Sequence, residues 1–142
     1  MSSSRLDAIE AKRNARKAET DAAADDQRAL DLEAIDALET EHGDSNVAVL
    51  RVPFTVGLPT LVACRCPAPV ELKRFRALVK PPKDGKPVDY VPPTEQLAST
   101  CLVYPDKETF LKICEARPGL HMQLGTSALK LGTAEEDAQG KG

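Results

Sequence analysis

Large apolar side chains are concentrated between Val47 and Leu131, and a core can form only where such side chains are supplied. That block of roughly 85 residues is long enough to fold alone, with a small stability margin. The whole chain has no Trp, three Phe and two Tyr, so its core must be aliphatic and small. A charged stretch precedes the block and a polar one follows it. The expected organisation is an extended charged helical arm over 1–45, a small α+β body over 46–131 and a disordered tail over 132–142.

The first 42 residues contain neither Gly nor Pro and are rich in Ala and charged side chains. They predict one long helix, with Ser3 or Ser4 as its cap and Gly43 as its stop. Roughly 38 helical residues reach ~57 Å, more than a small body can cover. Leu6 and Ile9 form one apolar pair, and Leu32, Ile35 and Leu38 form a stripe at three-residue spacing. This is not a sustained heptad, so no stable coiled coil is expected. The last three turns are expected to pack on something while the first half projects. Residues 1–42 carry 6 basic and 11 acidic groups and the remainder 13 and 11, a balance that favours docking of arm on body and is screened by salt.

Val47–Phe54 and Thr60–Cys66 have strand length and β-branched content, and Val56-Gly57-Leu58-Pro59 supplies a turn between them. Ala48, Leu50, Val52 and Phe54 share one face, as do Val62, Cys64 and Cys66. Two strands alone are marginal, so they must lie on helices or pair with another chain. Helical spacing follows at Val70–Lys80, Thr94–Cys101, Lys107–Arg117 and Leu120–Leu131, with Leu102-Val103-Tyr104 extended between two of them. Pro81 to Pro93 reads as a mobile loop. The fold class is therefore α+β, mostly helical: a long N-terminal helix, a β-hairpin, three short helices packed on it, and a disordered C-terminal tail.

No catalytic motif is found. Cys64 and Cys66 form a C-x-C within a strand, with Cys101 and Cys114 isolated, whereas zinc ribbons need paired C-x-x-C knuckles in turns. Buried thiols that pack as small hydrophobes are the expected role. His121, beside Leu120 and Met122, reads as a partly buried imidazole rather than the base of a cysteine nucleophile. Lys73, Arg74, Arg76 and Lys80 make a basic helix face without an aromatic platform, and the net charge of −3 makes a nucleic-acid partner the weaker reading. Apolar runs reach about four residues, as in Leu61-Val62-Ala63-Cys64, too short for a membrane span. A cytoplasmic protein without metal or cofactor is expected.

At V-E-L-K-R-F-R, and again at C-L-V-Y-P-D-K-E-T-F followed by P-G-L-H-M-Q-L-G, the chain resembles phage and prophage tail assembly chaperones over roughly residues 46–131. The long N-terminal arm departs from that family's pattern. The resemblance implies a non-enzymatic protein that binds the long apolar tape measure protein and recruits the tail tube protein. It also implies a second, longer product made by ribosomal slippage, and Gln139-Gly140-Lys141 can be encoded with a slippery heptamer. The contact residues expected on this reading are Leu32, Ile35 and Leu38 on the arm, with Phe54 and Phe75 at the hairpin edge. A structural virion or tail-associated subunit that self-associates through the arm is the alternative. A small nucleic-acid-binding regulator ranks below both.

Overall fold

The run without Gly or Pro forms a single helix, α1 (Ser2–His42). Gly43 ends it at φ 90°, a conformation that suits glycine, and the Gly43 N–H donates to the Glu39 carbonyl at 2.8 Å. The computed structural model describes residues 2–133; the expected tail past Thr133, including Gln139-Gly140-Lys141, lies outside the described residues.

The hairpin forms with β1 (Val47–Arg51) antiparallel to β2 (Leu61–Arg65), in a register that pairs Ala48 with Cys64 and Leu50 with Val62. The Val52 N–H donates to the Thr60 carbonyl at 2.8 Å, one step beyond the strands. Pro53 has no N–H, so the ladder stops short of the predicted Phe54. The extended stretch is β3 (Leu102–Tyr104), antiparallel to β2, giving a three-stranded sheet in the order β1-β2-β3. A third strand lifts the pair out of the marginal range for an isolated hairpin.

Four helices follow the hairpin: α2 (Pro69–Leu78), α3 (Val91–Cys101), α4 (Lys107–Ala116) and α5 (Leu120–Leu131). Three of them, α3, α4 and α5, contact the sheet, and α2 lies against α3. α3 begins three residues before the predicted Thr94, because Pro92 and Pro93 sit in its first turn, where a missing N–H leaves no bond unmade. Asp106 caps α4 by accepting from the Thr109 N–H at 3.1 Å. Val52, Val62 and Cys64 meet Leu97, Cys101, Phe110 and Leu124 in the larger core. At the α3–α5 crossing, a methyl group on Gly125 would fall 2.2 Å from the Thr94 carbonyl oxygen.

The opposite sheet face is covered by α1. Ile35 packs with Val47, Leu61 and Ala63, flanked by Val103 and Tyr104. Asp31, one turn earlier, is fully buried. Its Oδ2 accepts from the Thr60 N–H at 2.7 Å and the Thr60 hydroxyl at 2.6 Å. Its Oδ1 accepts from Gln27 Nε2 at 3.0 Å and from the Tyr104 hydroxyl. Burial pushes this carboxyl's pKa up, but the hydrogen bonds from Thr60, Tyr104 and Gln27 outweigh it and hold the group below its ordinary 3.8. The end of the arm is thus part of the body rather than a segment apart from it.

A group with a depressed folded-state pKa stabilises fully above its unfolded value and loses that contribution as pH falls through and below it. Asp31→Asn places an amide donor among donors, and is expected to cost ~2–4 kcal/mol near neutral pH. Denaturant unfolding should show the gap between wild type and variant shrinking as pH drops below the ordinary carboxyl value of 3.8. Gly125→Ala, by forcing α3 from α5, is expected to cost ~1–3 kcal/mol in the same measurement.

Candidate partner-binding surface

The five predicted contact residues do not converge on one surface. Leu32 is 54% exposed and points away from the body. Ile35 is 3% exposed in the smaller core, so it is corrected here from a partner contact to a core residue. The reason is helical geometry: at ~100° per residue, a three-residue step turns back by ~60°, so Leu32 and Leu38 stand ~60° to either side of Ile35, and Leu32 falls on the side away from the sheet. The seated face instead runs through Asp31, Ile35 and the half-buried Leu38. Phe54 is half-buried just past β1, and Phe75 is half-buried on α2 against the larger core.

Phe75 belongs to the groove between α2 and α3. Buried Pro93 and Leu97 form its base, Phe75 and Leu78 its α2 wall, and the exposed Arg74 and Gln96 stand at its edge. Leu78 is 50% exposed, and Val70, Tyr90 and Val91 on the same helices or their junction are also exposed. α2 contributes no fully buried side chain, so little apolar area holds it down. A polar anchor does so instead. Arg65 at the end of β2 donates to Glu71 through both guanidinium ends, at 2.8 and 3.0 Å, and to the Thr100 carbonyl at 3.2 Å. Glu71 Oε1 also accepts from the Ala68 N–H at 2.7 Å, bonding back to the helix start. The hydrogen bonds from Arg65 pull the Glu71 carboxyl down to about 2. The result is a helix fixed near its N-terminal end by a polar clamp, with exposed apolar side chains at Val70 and Leu78.

A second grouping escaped the sequence reading. His121 on α5 lies between two residues of α3: Nε2 is 3.0 Å from the Ser99 hydroxyl and Nδ1 is 3.4 Å from a Glu95 carboxylate oxygen. Its ring meets Phe110 edge-on, with centroids 5.3 Å apart. Only the Glu95–Ser99 spacing of one helical turn was visible in the sequence. Ser99 sits inside α3, whose amides are committed to the helix ladder, so the site offers no paired N–H donors for a developing oxyanion. The arrangement ties α3 to α5 with a satisfied imidazole.

All four cysteines are free thiols. Burial pushes Cys64 up to about 12 and Cys101 up to about 11, which keeps both protonated and unreactive near neutral pH. Among the described residues, no group of three or more His, Cys, Asp or Glu is placed to hold a metal ion, and no helix is long and apolar enough to cross a membrane.

Comparison with family models, curated proteins and solved structures finds no match to this chain. Glu71→Gln tests the anchor. Amide hydrogen exchange across α2 should accelerate roughly tenfold or more, by the ~1.5–3 kcal/mol of a charge-assisted bond, while the sheet stays protected. In the wild type the same loosening should appear as pH falls from near 4.5 toward 2, because the depressed Glu71 pKa gives its contribution above that window and loses it within.

Proposed function

We propose that this chain is a tail assembly chaperone: a non-enzymatic binding protein that holds an apolar helical segment of a tape measure protein and presents it to the tail tube protein. The observation that carries this reading is the half-open α2–α3 groove, whose apolar wall of Phe75 and Leu78 exceeds what the body covers. A groove with an apolar base and polar edges suits the apolar face of an amphipathic helix. The resemblance noted in the sequence supports the reading, since V-E-L-K-R-F-R lies on α2 and supplies Phe75. The chemistry is capture and release, with bound apolar surface kept from other sticky segments.

The runner-up, a tail-associated structural subunit, is favoured by a different observation: residues 4–23 of α1 are exposed throughout and extend well past the sheet. Mass spectrometry of finished particles separates the two, since a chaperone leaves before completion.

Leu78→Glu places a charge on the groove wall at a half-exposed position, so folding should change by less than ~1 kcal/mol. Co-purification of a co-expressed tape measure protein should drop at least roughly tenfold, the loss expected on truncating or charging a groove contact. Undiminished co-purification from a folded Leu78→Glu protein would remove the groove from the binding site.

A further inference from the structure

The arm has a second feature beyond its seat on the sheet. Residues 1–18 carry five basic and two acidic side chains, whereas residues 19–42 carry one and nine. This runs against the helix macrodipole, which favours acids at the start and bases at the end. Arg5 lies in the first turn of α1, and Glu39 and Glu41 in its last. Nor do the charges neutralise one another along the helix: among the described residues, the ion pair within α1 is Arg28–Asp25, at 3.6 Å and well exposed.

Eight exposed residues of α1 explain the pattern. Leu6, Glu10, Arg13, Lys17, Asp21, Asp25, Arg28 and Leu32 are spaced by three or four, and fall in one stripe ~120° wide. In order they read apolar, acid, base, base, acid, acid, base, apolar. Reversed, every charge meets its opposite and each leucine meets the other. We infer that α1 pairs antiparallel with the α1 of a second copy of this chain through this stripe. One register places Leu6 level with Leu32, Glu10 with Arg28, Arg13 with Asp25 and Lys17 with Asp21, and two-fold symmetry repeats each contact. Glu10 and Arg28, which break the segregation of charge, fall opposite one another. Antiparallel pairing also sets the two macrodipoles head to tail.

The costs are small. Asp7 at the stripe's margin comes level with Asp31, whose carboxylate is turned into the sheet and fully bonded. Glu19, at the centre of the register, lies on the far side of the helix. Asp31 and Ile35 share the angular range of the stripe's N-terminal half, but at their own level on the helix the stripe residues Asp25, Arg28 and Leu32 are turned toward its other margin and stay exposed. With Leu6 and Leu32 as its only large apolar contacts, the pair is held mostly by exposed charges and must be salt-sensitive.

Sedimentation velocity on the full chain tests this independently of the groove, because no groove residue is touched. Wild type should dimerise at low salt, with affinity falling by at least roughly tenfold between about 0.05 and about 0.5 M salt. The double variants Arg13→Glu/Lys17→Glu and Asp21→Lys/Asp25→Lys should each be monomeric with unchanged helicity by circular dichroism. Mixed together they should form a heterodimer, since each reversed pair then faces its complement, and all four changes in one chain should restore the homodimer. A wild type that stays monomeric at low salt, or folded variants that fail to pair on mixing, overturns the inference. So does a basic-half variant that merely loses retention of a duplex DNA probe while every form sediments as a monomer, which would make the stripe a nucleic-acid face.

Discussion

A buried carboxylate decides how this molecule is put together. Asp31 is withdrawn from water on α1 and accepts hydrogen bonds from its own helix, from the end of the β1–β2 connection and from β3. Apolar contact alone gives α1 little hold, since Ile35 is the one large side chain of α1 fully buried among the described residues, worth ~2–3 kcal/mol. Holding α1 in one orientation against three short strands costs conformational entropy that a single apolar side chain does not offset. The four bonds to Asp31 add to that hold, and they work only together, because a desolvated carboxylate with a missing partner becomes a liability. Satisfying it fixes Thr60 at the start of β2, Tyr104 at the end of β3 and the rotation of α1. Both faces of the sheet are then covered.

Much of this was legible in the residues. The alternation of Ala48, Leu50 and Val52 against Val62 and Cys64 identified the face that meets the helices, and the strands, their turn and the helical segments follow from period and breakers. The other face was harder to read. Val47, Leu61 and Ala63 are buried only because α1 returns over them, a contact between segments far apart in the chain. The apolar spacing of Leu32, Ile35 and Leu38 suggested one stripe, while the true one passes through an acid. An aspartate on a buried face looks like solvent exposure until its partners Thr60 and Tyr104 are brought near, and neither spacing nor composition does that. His121 was legible as a partly buried imidazole, but its partners escaped for the same reason: Ser99 and Glu95 share a helix face, and the imidazole arrives from the next layer.

The groove shows how a small body keeps apolar surface available without losing its fold. α2 is fastened by the Arg65–Glu71 pair near its start and by the half-buried Leu72 and Phe75, so Leu78 and Val70 are left over. A helix fully sunk into the core would be more stable and would present nothing. A polar clamp trades burial for availability. This is the property that capture of a sticky segment requires, and it links the placement of one glutamate to the proposed role.

The arm joins these elements. A helix has one rotation about its axis, so seating Asp31 and Ile35 on the sheet dictates which residues face outward along the whole length. Leu32 stays exposed because it lies ~100° round the helix from the buried Asp31, and that rotation is carried toward Leu6 by an uninterrupted ladder without glycine or proline. Had the three-residue stripe been the seated one, Leu32 would be consumed in docking and the self-complementary order of charges would lose one of its two apolar ends. The same buried carboxylate that closes the sheet therefore also sets the rotation at which the arm's exposed residues stand.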